Sequence, residues 1–207
     1  MYNFDTNALS ASYAQLFRDF RLSGGDYIDD SNQVSVGFTT RYLNPENGRE
    51  AFRFSLGQAF YLEDRDVVLA TSAARAEYER ERDRSALVVD MGAQLSRHWD
   101  IRSELLWGDA KGTRERQSLD LRDRDEKGRL FNLGYQFLDQ DKTPNLLTPI
   151  TGKFADRTVD QAYVSAVYPL SNQWSLIGHY SYDMQNSREL ETIAGVEYSS
   201  CCWSARL

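Results

Sequence analysis

The most chemically distinctive residues are two adjacent thiols in the stretch 196 VEYSSCCWSARL 207. Cys201 and Cys202 are the chain's 2 cysteines. They are poorly placed to bond to each other, because neighbouring Cα atoms lie about 3.8 Å apart and a disulfide ordinarily needs at least ~4.4 Å. If they are paired, their partners lie outside this sequence; if reduced, they are small turn residues. Of the 2 histidines, His98 in 96 SRHWD 100 reads as a solvated turn residue. His179 in 174 WSLIGHYSY 182 shares a strand face with Ser175 and Ser181. No nucleophile elbow surrounds either serine, so no catalytic residue is assigned. No Cys/His spacing suits zinc, and 63 EDRD 66 and 123 DRDE 126 lack the glycine and terminal glutamate of a calcium loop. No metal or cofactor is expected.

A third candidate is 16 LFRDFRLSGGDYIDD 30, where Gly24-Gly25 permits a sharp turn. Arg18 and Arg21 stand among Asp19, Asp26, Asp29 and Asp30. The segment, with Arg18, Arg21 and Asp26 as its candidate residues, reads as a cap held by internal ion pairs or as a phosphate contact made by the arginines. Acids that compete for the arginines favour the cap.

The surrounding chain must position these groups. Its 207 residues fit one domain, and the formal charge of −7 provides no basic face for nucleic acid. Basic residues are mostly arginine, with lysine only at 111, 127, 142 and 153, which suits bidentate pairing between neighbouring strands. No run approaches the ~18 apolar residues of a spanning helix. The opening MYNFDTNALSASYAQLF lacks a basic segment followed by an apolar core. A chain working outside the cytoplasm has therefore lost its leader or is part of a longer one.

From residue 32 onward, apolar and polar residues alternate with period two. Val34, Val36, Phe38 and Tyr42 oppose Ser35, Gly37, Thr39 and Arg41; Phe131, Leu133, Tyr135 and Phe137 oppose Asn132, Gly134 and Gln136. The segment 114–125 is the weakest, with only Leu119 and Leu121 apolar. The reading is all-β and antiparallel, with residues 1–31 as an extracellular loop or cap and 32–207 as strands.

Three features favour a transmembrane barrel over a soluble sandwich. Strands of roughly 9–12 residues match tilted membrane strands. Short connections near 44–49, 98–99, 125–127 and 170–173 alternate with long polar ones at 63–84 and 139–158. Tyr42, Trp99, Tyr168, Trp174 and Tyr198 fall near one rim, and Phe60, Trp107, Phe137 and Tyr182 near the other. Arg53, Asp90, Arg102, Glu104, Gln136 and Glu197 then face a hydrated lumen rather than a dry core. About nine strands and the start of a tenth, Trp203–Leu207, make this a section of a larger barrel. Strand parity puts the thiols on the short-turn rim, in an oxidising compartment.

The segment 4–42 resembles the C-terminal barrel of the LptD family, the lipopolysaccharide-assembly or organic solvent tolerance proteins. The likeness rests on Phe4-Asp5-Thr6, Leu16-Phe17-Arg18, Arg21, Ser23-Gly24, Asp26, Ile28, Asp30 and Asn32-Gln33. It continues in Gly57-Gln58-Ala59-Phe60-Tyr61 and Glu197-Tyr198-Ser199-Ser200-Cys201-Cys202-Trp203. The resemblance implies a non-enzymatic translocon of the Gram-negative outer membrane. Such proteins hold a plug lipoprotein, LptE, and receive lipopolysaccharide from LptA through a periplasmic jelly-roll domain that this sequence lacks. It also implies disulfides from Cys201 and Cys202 to that domain, and contact with outer-membrane lipid but not nucleic acid. A general porin and a barrel-embedded lipid hydrolase are the alternatives.

Overall fold

The computed structural model describes residues 7–8, 11–23, 30, 32–67, 77, 80–108, 114–139 and 158–207. A two-residue ladder pairs β1 (Asn7–Ala8) with β2 (Leu22–Ser23), and a 3-10 turn, Ala14–Phe17, lies between them. The rest is one antiparallel sheet of 10 strands in sequential order. They are β3 (Gln33–Leu43), β4 (Glu50–Tyr61), β5 (Leu87–Gln94), β6 (Trp99–Trp107) and β7 (Arg114–Arg124), then β8 (Leu130–Asp139), β9 (Thr158–Pro169), β10 (Trp174–Asp183), β11 (Arg188–Ser199) and β12 (Ser204–Arg206). The sheet is open, with β3 and β12 at its edges. Even the apolar-poor 114–124 is a full strand, because its ladder bonds run along both neighbours.

Register keeps the alternation coherent across the sheet. Phe38 pairs with Leu56, Leu56 with Val89 and Val89 with Leu105, all on one apolar face. That face is open: Val36 is 58% exposed, Phe38 59% and Leu133 46%. The opposite face carries polar ladders. Arg53 meets Asp90 at 3.2 Å, Glu104 pairs with Arg116, Asn132 donates to Ser165 at 3.0 Å, and Arg206 Nε donates to Glu197 at 2.9 Å. The three that involve arginine are the cross-strand pairings that the composition suggested.

Tight connections at 44–49, 95–98, 125–129, 170–173 and 200–203 share one rim, and the other carries the two long connections, 62–86 and 140–157, together with the shorter 108–113 and the tight turn 184–187. Gly48 and Gly128 supply the positive φ in two of the tight turns. Aromatic rings line the short-turn rim. Trp99 lies 6.2 Å from Phe131, Trp174 lies 5.0 Å from Tyr198, and Trp203 joins the row 4.9 Å from Tyr198.

One expectation changes in detail. The polar face is not open throughout, because toward the long-loop rim it is covered by residues 11–17 and 84–86. Leu16, Ala59, Ala86, Val88 and Leu106 form a packed cluster there, with Val88 and Leu106 each 1% exposed. Among the described residues, the most buried side chains therefore lie on the face that alternation assigns to water. Toward the short-turn rim the same face stays polar and accessible.

Candidate functional site

Cys201 and Cys202 occupy the two apical positions of the turn between β11 and β12. Both are exposed and free, with Sγ atoms 3.2 Å apart. Hydrogen bonding to the Cys201 thiol, with a smaller contribution from burial, pushes the Cys202 thiol above its ordinary value. The turn is built by its flanking residues. Ser200 Oγ accepts from the Cys202 and Trp203 amides at 3.5 and 3.4 Å, and the Ser200 amide donates to the Trp203 carbonyl at 2.9 Å.

The same construction occurs at two other tight turns of this rim. In 96 SRHW 99, Ser96 Oγ accepts from the amides of His98 and Trp99 at 3.3 and 3.2 Å. In 171 SNQW 174, Ser171 Oγ accepts from Gln173 and Trp174 at 3.3 and 3.1 Å. In both, the serine amide also donates to the tryptophan carbonyl. Each Ser-x-x-Trp turn sets its tryptophan at the start of, or just before, the next strand and projects its two middle residues from the rim. The repeat is legible in the sequence once the three turns are aligned, but period-two analysis passes over it because it recurs in the connections.

The N-terminal segment forms the second part of the site. Its 3-10 turn lies on the polar face of β3 and β4, where Gly37 and Gly57 are register partners. A Cβ on Gly37 would come within 2.5 Å of the Phe17 ring, and one on Gly57 within 2.9 Å of a Leu16 methyl. Ser35 Oγ donates to the Leu16 carbonyl, and Thr39 Oγ1 lies 2.8 Å from the Tyr13 hydroxyl. Arg116 reaches from β7 to donate to the Ala11 carbonyl at 2.6 Å. Small and hydroxylic side chains on alternate positions thus make a cradle into which Tyr13, Leu16 and Phe17 fit.

Arg21 pairs with Asp30 at 3.0 Å, and Asp30 also accepts from the backbone amides of Asp66 and Val67. The acid therefore ties the N-terminal segment to the connection after β4. Arg18 is exposed and lies just beyond the 3-10 turn. Asp26 lies outside the described residues, as do Gly24-Gly25 and 140–157 of the long loop. His179 faces Glu191 at 3.5 Å and lies 6.1 Å from the Tyr163 ring; among the described residues no serine hydroxyl hydrogen-bonds to it.

A family model described as "LPS transport system D" matches residues 1–174. The chain belongs to the LptD family. Its relatives include the LPS-assembly protein LptD of Ectopseudomonas mendocina, 36% identical over 99% of this chain and 24% of the relative. Those of Shewanella frigidimarina and Saccharophagus degradans are 35% and 37% identical, again over 99% of this chain and over 25% and 23% of their own lengths. The chain thus spans about a quarter of the curated LptD proteins it matches. The thiol turn lies beyond the part matched by the family model but inside the span shared with these relatives. Within the LptD family, an open all-β sheet with a one-sided apolar face is a section of barrel wall.

Proposed function

We propose that this chain is part of the wall of the outer-membrane translocon that places lipopolysaccharide in the outer leaflet. In this reading it is a non-enzymatic part, with the apolar face toward lipid and the polar face toward the lumen. Residues 1–31 act as an inward-folded cap against which a plug lipoprotein, LptE, is seated. Cys201 and Cys202 bond to cysteines of the periplasmic domain, the domain through which LptA delivers lipopolysaccharide. A pair of thiols on one rigid turn can fix the angle of a facing domain as well as its distance, and each disulfide contributes roughly 2–4 kcal/mol.

The observation that carries this reading is the position of the thiol pair. It sits at the apex of a tight turn, on the rim of short connections, in a chain of the LptD family. The test is non-reducing electrophoresis of the full-length protein, comparing wild type with Cys201→Ser, Cys202→Ser and the double variant. The expected result is a distinct oxidised band pattern for each. An identical oxidised pattern in all four would remove the anchor.

A further inference from the structure

A charged group stands on the apolar face, toward the long-loop rim. Arg114 is the register partner of Trp107, so its side chain shares a face with Trp107, Tyr135 and Phe137. The intervening bulge residue, Glu115, is buried and faces Arg82 at 3.7 Å. The Arg114 guanidinium lies over the Phe137 ring with its carbon 3.6 Å from the centroid. One of its terminal nitrogens donates to Gln117 Oε1 at 2.9 Å and to the Tyr135 hydroxyl at 3.2 Å. Both acceptors are neutral.

Among the described residues, no carboxylate lies within ion-pair distance of this guanidinium. Asp160 is the register partner of Phe137 and interacts with the Tyr135 hydroxyl, which stands between it and Arg114 in the network. Among the described residues, the donors on Nε and the second terminal nitrogen meet no acceptor. A charge on a lipid-facing strand is costly at the membrane midplane and far less so near the interface, where an anion can meet it. Stacking on Phe137 fixes the plane of the fork, and a planar fork with free parallel donors suits a phosphate.

We propose that Arg114, stacked on Phe137 and braced by Gln117 and Tyr135, binds the headgroup phosphate of a membrane lipid on the outside of the wall. This rests on the reading of the apolar face as lipid-facing. The site is separate from the lumen and the thiol turn; it would hold an annular lipid at the level of Trp107 and Phe137, near the long-loop rim.

The test uses full-length protein in a maltoside detergent, titrated with phosphatidic acid or diacylglycerol and read by native mass spectrometry. Heat-modifiable electrophoretic mobility confirms that the variants are folded. The expected result is a roughly tenfold loss of phosphatidic acid affinity in Arg114→Ala and a smaller loss in Arg114→Lys, which keeps the charge without the fork. Diacylglycerol should bind wild type and variants equally weakly. Equal phosphatidic acid binding by wild type and Arg114→Ala would overturn the site, as would diacylglycerol binding as tight as that of phosphatidic acid. Displacement of phosphatidic acid by millimolar inorganic phosphate would overturn the lipid assignment, and persistence supports it. A full-length protein that stays dispersed without detergent would instead overturn the lipid-facing reading beneath the proposal.

Discussion

Gly37 of β3 lies directly opposite Gly57 of β4, and the space above the two is filled by Tyr13, Leu16 and Phe17 from the N-terminal segment. Neither glycine has a positive φ, so both serve close approach rather than a turn. The cradle, flanked by the short rungs Ser35–Ala59 and Thr39–Ser55, permits a 3-10 turn to lie flat on a face that elsewhere carries long polar side chains such as Arg53, Glu104 and Arg116.

Filling the cradle should release the turn. In Gly57→Val, the added methyls occupy the place of Leu16 and the Tyr13 ring edge. The strand accepts valine readily, so the sheet should persist while residues 11–17 lift away. The expected readout is faster tryptic cleavage at Arg18 or Arg21 in the folded full-length protein. Leu16→Ala should produce the same exposure from the other side, at a cost of about 2–4 kcal/mol. Unchanged cleavage in both variants would count against the cradle.

Ser200 should set the rate at which the thiol pair is oxidised. Ser200→Ala removes the acceptor that holds the Cys202 and Trp203 amides and leaves the sheet untouched. Oxidation in a refolding time course should slow several-fold, and Ser200→Thr should restore most of the rate because it keeps the hydroxyl. The same changes at Ser171 should leave oxidation unaffected while loosening that turn. Equal rates for Ser200→Ala and wild type would show that the turn does not position the thiols.

Thiol reactivity supplies a pH test. The Cys202 thiol is held above its ordinary value chiefly by its hydrogen bond with Cys201. A raised value means less thiolate at any given pH, so alkylation of reduced Cys202 should be slow near neutrality. Cys201→Ala removes the partner, so the midpoint of the pH–rate profile for Cys202 should move down. Mass spectrometry of the peptide containing residue 202 gives the rate, and a midpoint that stays put or rises would contradict the coupling.

Tyr163 should be the bracket of the middle of the polar face. Its ring covers Gly134, its register partner, and its hydroxyl donates to Asp120 on β7. Tyr163→Phe should cost about 1 kcal/mol through the lost hydrogen bond. Gly134→Leu displaces the ring and should cost more. Urea unfolding of the full-length protein in lipid bilayers measures both, and a Tyr163→Phe effect larger than that of Gly134→Leu would reverse the assigned roles.

Strands and rims were legible because alternation and turn residues are local signals. The register of Phe38 with Leu56 and Val89 follows from matching apolar positions once the short turns are fixed. The covering of the polar face was not legible in the same way. It joins Leu16 to Ala59, Val88 and Leu106, which are far apart in the sequence and meet only when the sheet forms. A trace was present in 87 LVV 89 and 105 LLW 107. Consecutive apolar residues break alternation where both faces of a strand are covered. The thiol turn was visible as a cysteine pair, but its support was hidden because serine and tryptophan are ordinary residues until three turns are compared.

The three Ser-x-x-Trp turns make the rim a row of equivalent sockets. Moving the cysteine pair from positions 201 and 202 to 172 and 173 would keep its scaffold and shift the tether by two strands, about 10 Å around the circumference. A periplasmic domain anchored there, as proposed, would then swing to a new bearing relative to the wall, so that the address of the pair would encode an angle.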